Sequence, residues 1–182
     1  MTRLDPTTRH AELLSAGRIL WASKPFDAVR PDDITAATGT SIGLVYHHFG
    51  SKRGFYVATV RDAADRLISA TDGRGDDPAS FVLDTLRGFV RFVADEGPLM
   101  RAVLRGGLGV DDEVASIAQR VRDLNARRVL DRLAREETPE LTTRIAGWIG
   151  LCEAVALDHV ERRVLTDDAV VGLLADALWR LL

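Results

Sequence analysis

A single cysteine, Cys152, stands among the 182 residues. That excludes an internal disulfide framework and any all-cysteine metal site. Its expected place is that of a small buried apolar side chain. Long apolar runs are missing too. No uncharged stretch approaches the roughly 20 residues that cross a bilayer, and the opening MTRLDPTTRH has no apolar core of a signal peptide. No membrane partner is expected, and the cytoplasm is the default compartment. Strand-like alternation, internal repeats and low-complexity tracts are absent as well. So are HExxH, paired Glu-x-x-His, glycine-rich phosphate loops and the alternating acids of a calcium loop, so neither a metal nor a cofactor is expected.

What remains is a globular composition, 46% apolar and 28% charged. The net charge of −3 at first argues against a nucleic-acid partner. Its distribution weakens that objection: residues 1–70 hold nine Lys/Arg against seven Asp/Glu (+2), and the rest fifteen against twenty (−5). Local placement must decide.

Helical period runs through nearly every segment, so the chain reads as all-α. HAELLSAGRILWAS places Leu13, Ala16, Gly17 and Leu20 on one face and should stop before Pro25. Pro31 suits the first position of a short second helix whose Asp32 and Asp33 complement the positive helix end. Gly39 then suits a left-handed cap, and Ser41 can cap a third helix with Val45 and Phe49 inward. Ser51 caps a fourth. TDGRGDDP, residues 71–78, is the clearest linker, which divides the chain into domains 1–70 and 71–182. Beyond it, residues 79–95, 98–105, 111–136, 139–163 and 168–181 read as further helices.

Residues 39–43, GTSIG, match G-x-S-x-G, the turn that presents the nucleophilic serine of some hydrolases. That turn needs a buried strand running into it, and the preceding PDDITAAT carries two charges and no β-branched run. A serine hydrolase using Ser41 therefore stands as the alternative from another class, with a helical interaction module that binds no DNA as a third. Neighbouring His47 and His48 point about 100° apart on a helix, so the two do not readily chelate one ion. Two short helices joined at a glycine instead make a helix-turn-helix, whose second helix enters a major groove. Ile42, Leu44, Tyr46, His47 and His48 are left on the outer side for DNA. Lys52, at the start of the fourth helix, is electrostatically odd there unless an anion such as phosphate approaches.

ITAATGTSIGLVYHHFGSKRGFYVATV resembles the DNA-binding region of the TetR family of one-component bacterial regulators. The likeness runs from about Arg9 to Val60. It implies about nine helices: an N-terminal three-helix helix-turn-helix domain, then a C-terminal helical ligand-binding and dimerisation domain. It also implies no catalysis, a homodimer on a palindromic double-stranded DNA operator, and a small-molecule effector that lowers DNA affinity. Carried over by position, Ser41, Ile42, Gly43 and Leu44 read the groove, while Arg30, Tyr46, His47, His48 and Lys52 meet the backbone. Three departures stand out: Pro25 replaces a usual glycine, Val29-Arg30 replaces a Thr-Ser pair, and Thr35, Thr38 and Thr40 replace alanine, alanine and valine.

The family likeness places an effector pocket among the middle helices. Phe89, Phe92, Met100, Leu104, Asn125, Trp148 and Cys152 are the candidates to line it. RIAGWIGLCEAVALDHVER carries Ala146, Gly147, Gly150 and Ala154, small enough for close helix approach. With Val170, Val171, Leu174, Ala177, Leu178 and Leu181 they offer more apolar surface than one terminal helix pair needs. The expected dimer interface is residues 140–181.

Overall fold

The computed structural model describes residues 6–103 and 111–182, and all regular structure among them is helical. Eight α-helices follow in order: α1 (Pro6–Ser23), α2 (Pro31–Thr38), α3 (Ile42–Phe49), α4 (Lys52–Ala70), α5 (Pro78–Ala102), α6 (Asp112–Leu133), α7 (Pro139–Arg162) and α8 (Asp167–Leu181). A single turn of 3-10 helix, Phe26–Ala28, links α1 to α2. Among the described residues the expected total of about nine becomes eight, since the sequence reading splits residues 79–95 and 98–105 into two helices. Residues 79–95 and 98–102 belong instead to one helix, α5, which passes through Pro98, while residues 104 and 105 lie outside the described residues. An internal proline removes one hydrogen bond and costs a helix about 3 kcal/mol. Burial of Leu99 and Val103, 2% and 8% exposed, offsets that loss.

The chain divides into two compact units, Met1–Ala64 with Pro98–Ile117, and Asp65–Gly97 with Ala118–Leu182. The borders fall inside α4, α5 and α6, whereas the linker at 71–78 lies wholly within the second unit. Sequence punctuation marks where helices stop; it does not mark which core each helix half joins.

In the first unit, Leu13 and Leu20 of α1, Ile34 of α2, Val45 of α3 and Phe55 of α4 meet in one core. Leu99, Val103, Val114 and Ile117 complete it from the second chain segment. Trp21 is the largest fully buried side chain there, edge-on to Phe55 and Tyr56 at 5.9 and 5.2 Å between ring centres. Each such ring contributes roughly 1.5–3 kcal/mol by leaving water. Close approach of α1 to α4 needs Gly17: a Cβ there would sit 2.5 Å from Thr59 Oγ1 and 2.9 Å from Phe55 Cζ. An ion pair between Arg18 and Asp62 ties the same two helices.

In the second unit, α7 and α8 run antiparallel. Arg144 near the start of α7 donates to the carbonyl of Leu181 at the end of α8, and His159 near the end of α7 meets Asp167 at the start of α8 (2.8 Å). Between these ends Trp148 Nε1 donates to the Leu174 carbonyl at 2.8 Å. Arg122 of α6 grips Glu153 of α7 through two bonds of 2.9 Å.

Two glycine substitutions in the first unit should separate crowding from backbone freedom. Gly17→Ala should destabilise by about 1–3 kcal/mol, because the added methyl overpacks the α1–α4 crossing. Gly43→Ala, where a Cβ meets nothing within 4 Å, should stabilise by about 0.4–1 kcal/mol. Urea unfolding at one fixed protein concentration reads both. A neutral Gly17→Ala would mean that α1 and α4 do not approach so closely.

Candidate nucleic-acid interface and effector cavity

The geometry of α2 and α3 begins with their ends. Arg30 precedes α2 in extended backbone, and its N–H donates to Asp33 Oδ2 at 2.9 Å. Lys24 Nζ donates to the other oxygen of that carboxylate at 2.5 Å. Those two bonds, Lys24 first, hold Asp33 below the usual carboxylate range. At the far end Gly39 has φ +62° and returns its N–H to the Thr35 carbonyl at 2.9 Å. A Cβ at Gly39 would meet nothing within 4 Å, so the backbone angle, not space, calls for glycine. This is the left-handed stop expected of the turn.

Ser41 Oγ accepts the N–H of Leu44 at 3.3 Å and so caps α3. The helix ahead of it, in place of a strand, removes the nucleophile reading of GTSIG. Within α3 the inner stripe is Ile42, Val45, Tyr46 and Phe49, spaced i, i+3, i+4, i+7. Val45 is fully buried and the other three pack partly against the core. Ile42 and Tyr46 therefore differ from the outward positions expected from the sequence: each stands one turn from a core residue and shares its face. Ser41, Gly43 and His47 are exposed, and Leu44 and His48 are half-buried. The open edge of α3 is thus Gly43 and His47, one turn apart, with the half-buried Leu44 beside Gly43.

Lys52 also has an internal answer to its odd position. Its Nζ donates to the Val29 carbonyl at 2.7 Å and lies 4.5 Å from the centre of the Phe26 ring. That bond brings the first residue of α4 to the threshold of α2, beside Arg30. His48 lies 5.9 Å from His10 of α1, ring to ring, and Phe49 lies 4.8 Å from it. Arg53, by contrast, is bound to Asp111 through two bonds of 2.7 and 2.9 Å and to Glu113 at 3.1 Å. The Asp111 bond raises the Arg53 guanidinium and holds the Asp111 carboxyl low. Sequence reasoning had no access to these pairings. Acids at 111–113 are visible in the string, but their partner lies 58 residues away.

In the second unit four of the seven expected pocket residues, Phe89, Asn125, Trp148 and Cys152, do surround one cavity of about 50 Å³. Thr71 Oγ1 lies 3.1 Å from Asn125 Oδ1 at its wall. Thr85 Oγ1, on the same lining, is buried with no hydrogen-bond partner among the described residues. The Arg122–Glu153 pair also borders it. Burial pushes the Cys152 thiol up to about 12, so it stays protonated and behaves as an apolar side chain. The other three candidates fall elsewhere. Phe92 is buried off the lining, Met100 belongs to the first unit, and Leu104 lies outside the described residues. The apolar stripe of α5 serves both units along its length, Phe81, Phe89 and Phe92 in the second and Leu99 in the first, which spacing alone does not separate.

The α7–α8 surface also differs from the expected one. Val170, Val171, Leu174 and Leu178 are buried inside the protomer, because the α7–α8 pair consumes them in its own packing. The exposed apolar residues here are Ala146, Gly147, Gly150, Leu151 and Ala154 on α7, with Leu173, Trp179 and Leu181 on α8. Among the described residues no helix is long and apolar enough to cross a membrane.

Comparison with known proteins agrees with this geometry. Residues 13–59 match the profile of bacterial regulatory proteins of the tetR family, and residues 78–181 match a tetracyclin repressor-like C-terminal domain. The HTH-type transcriptional repressor AcnR of Corynebacterium glutamicum is 27% identical over 85 residues, 47% of this chain and 42% of that protein. The chain thus spans less than half the length of that relative. The HTH-type transcriptional activator FasR of Mycolicibacterium smegmatis is 23% identical over 184 residues, covering 93% of this chain and 81% of that protein. A tetR-family transcriptional regulator from Streptomyces coelicolor superposes with a TM-score of 0.83 at 25% identity, covering 98% of this chain and 80% of the other. A TetR-like regulator from Rhodococcus sp. RHA1 gives 0.81 at 24% identity, covering 98% and 97%. With a C-terminal match spanning more than half of its length behind a capped α2–Gly39–α3 pair, the chain belongs to the TetR family of bacterial regulatory proteins.

Proposed function

We propose that the chain is a dimeric, effector-responsive regulator of transcription that acts as a repressor on a palindromic operator in the cytoplasm. Residues 1–70 hold the DNA-binding function, and 71–182 hold the effector and dimer functions. One observation carries the reading: α3 is clamped by Val45 and Phe49 while Gly43 and His47 are exposed, with Leu44 half-buried beside them. An open helix edge of this kind is what enters a major groove. Arg30, His48 and Lys52 flank that edge and meet phosphates; Ser41 sets the helix start, and Ile42 and Tyr46 support the edge from inside. The name repressor on the corynebacterial relatives supports the direction of control.

The cavity beside Thr85 is the effector site. Its volume of about 50 Å³ is well below the roughly 300 Å³ of ordinary ligand pockets, so an effector of that size binds by opening it. A ligand that fits only the opened form shifts the population of dimers away from DNA. Gly147 and Gly150 support the dimer assignment. Each lies inside α7, where glycine costs about 1 kcal/mol relative to alanine. A Cβ at either meets nothing within 4 Å in the protomer, so close approach of a second subunit accounts for both.

Three outcomes are expected. Arg30→Gln should weaken binding to all duplexes alike and flatten the slope of log affinity against log salt by about one unit. An unchanged slope removes Arg30 from the interface. Leu44 has no hydrogen-bonding atoms, and its partner in the groove is a thymine methyl. Uracil at that thymine should weaken binding by about 0.5–1 kcal/mol, and Leu44→Ala should abolish the difference. If every thymine of a footprinted half-site tolerates uracil, Leu44 is not a reader. Sedimentation and circular dichroism together test the dimer face. Leu151→Asp and Leu173→Asp should give folded monomers, whereas Leu174→Asp buries a charge in the protomer and should unfold it. A dimer that survives both surface changes puts the interface elsewhere.

A further inference from the structure

Within the second unit the last turn of α4 and the loop after it press against the flank of α5. A Cβ at Gly88 would sit 1.8 Å from the Ala70 carbonyl oxygen, and one at Gly73 would sit 2.5 Å from Thr85 Oγ1. Arg132 of α6 holds the same loop, donating to the Gly75 carbonyl at 2.9 Å. Between loop and helix lies a cleft of about 530 Å³, within the roughly 300–1,000 Å³ range of small-molecule sites. Arg74 of the loop and Arg87 and Arg91 of α5 line it, against two acids, Asp72 and Asp84. Both acids are already paired: Asp72 with Arg128, which is off the lining, at 3.4 Å, and Asp84 with Arg87 at 3.5 Å. The guanidinium groups of Arg74 and Arg91 have no hydrogen bond or ion pair among the described residues. Asp95, one turn beyond Arg91, is off the lining and not paired with it, and Glu96 serves Arg66 at 3.0 Å. Two positive charges are left over.

The usual internal reason for arginine beside a helix end is the bare carbonyls there. Those of α4 are served by other groups: Leu67 by Thr71, Ile68 by Arg128 at 3.0 Å, and Ser69 by the Asp72 N–H. Arg87 and Arg91, moreover, stand at i,i+4, a spacing at which like charges repel. The counter-charge must come from outside the chain. We infer that this cleft is a second ligand site, for the phosphoryl group of a small phosphorylated molecule. It shares no lining residue with the cavity beside Thr85. A carboxylate brings one charge and two oxygens. A phosphoryl group brings about −1.5 to −2 charge at pH 7 and three acceptor oxygens on one atom, which suits several guanidinium forks around one space. Backbone contacts at Gly73 and Gly88 fix both walls, so the seat is in place before the ligand arrives.

Titration calorimetry of the full-length protein with inorganic pyrophosphate should show saturable binding. Arg74→Gln and Arg91→Gln should each weaken it about tenfold or more, and the double variant should abolish it. Arg120→Gln removes the same charge from an exposed arginine of α6 outside the cleft, and should leave binding unchanged. Citrate, of similar charge but with carboxylates only, should bind more weakly than pyrophosphate. Duplex DNA distinguishes a free phosphorylated ligand from the nucleic-acid backbone. Arg74→Gln and Arg91→Gln should keep the wild-type slope of log affinity against log salt, whereas a slope flattened by about one unit would assign these arginines to DNA and overturn the inference. So would no binding of pyrophosphate, equal binding of citrate, or undiminished binding to the double variant. An equal loss in Arg120→Gln would reduce the effect to net charge and overturn it as well.

Discussion

A helix of eight residues does not hold its shape in water, where fewer than about 12–15 residues are marginal even for good helix formers. α3 has that length, so everything it does depends on what clamps it. The clamp is Val45, fully buried in the same core cluster as Ile34 and Phe55, with the Phe49 ring tilted against Phe55 at 4.9 Å between centres. Two end devices complete it: the Ser41 cap at the start, and Gly50, whose N–H returns to the Tyr46 carbonyl at 2.7 Å. With one stripe fixed, the opposite edge is fixed too, without a contact of its own. That is how a short, largely apolar segment becomes a rigid reading surface.

Charge in the first unit is mostly spent on the protein itself. Arg18 pairs with Asp62, Lys24 with Asp33, and Arg53 and Arg61 with the acids at the start of α6. Exposed pairs of this kind contribute little stability, about 0–1 kcal/mol each. Their larger effect is on where positive charge remains available. A net charge of −3 for the whole chain and +2 for its first 70 residues are both poor guides. The cation at the threshold of α2, with the start of α4 drawn beside it by the Lys52–Val29 bond, matters more than either sum.

Much of the α1–α4 region was legible in the sequence because its signals are local. Pro31 at the first helical position, Gly39 at the turn, Ser41 as a cap and Val45 as an inward residue each follow from a residue and its near neighbours. The failures came where distant packing decides. α5 passes through Pro98 because Leu99 and Val103 have a core to enter. Ile42 turns inward because it shares a stripe with Val45, although the string around it also fits an outward reading. Leu174 and Leu178 were read as dimer surface and are protomer core, since apolarity does not say which of two neighbours a helix face meets.

The central claim is that two copies of the clamped α3 edge read DNA. Selection of bound sequences from a random duplex pool by the full-length protein tests it most directly. The expected result is an inverted repeat with thymine enriched in each half, and half-site centres one helical turn (about 10 base pairs) or a multiple of it apart. Enrichment of a single unrepeated element, or of no sequence at all, would contradict it.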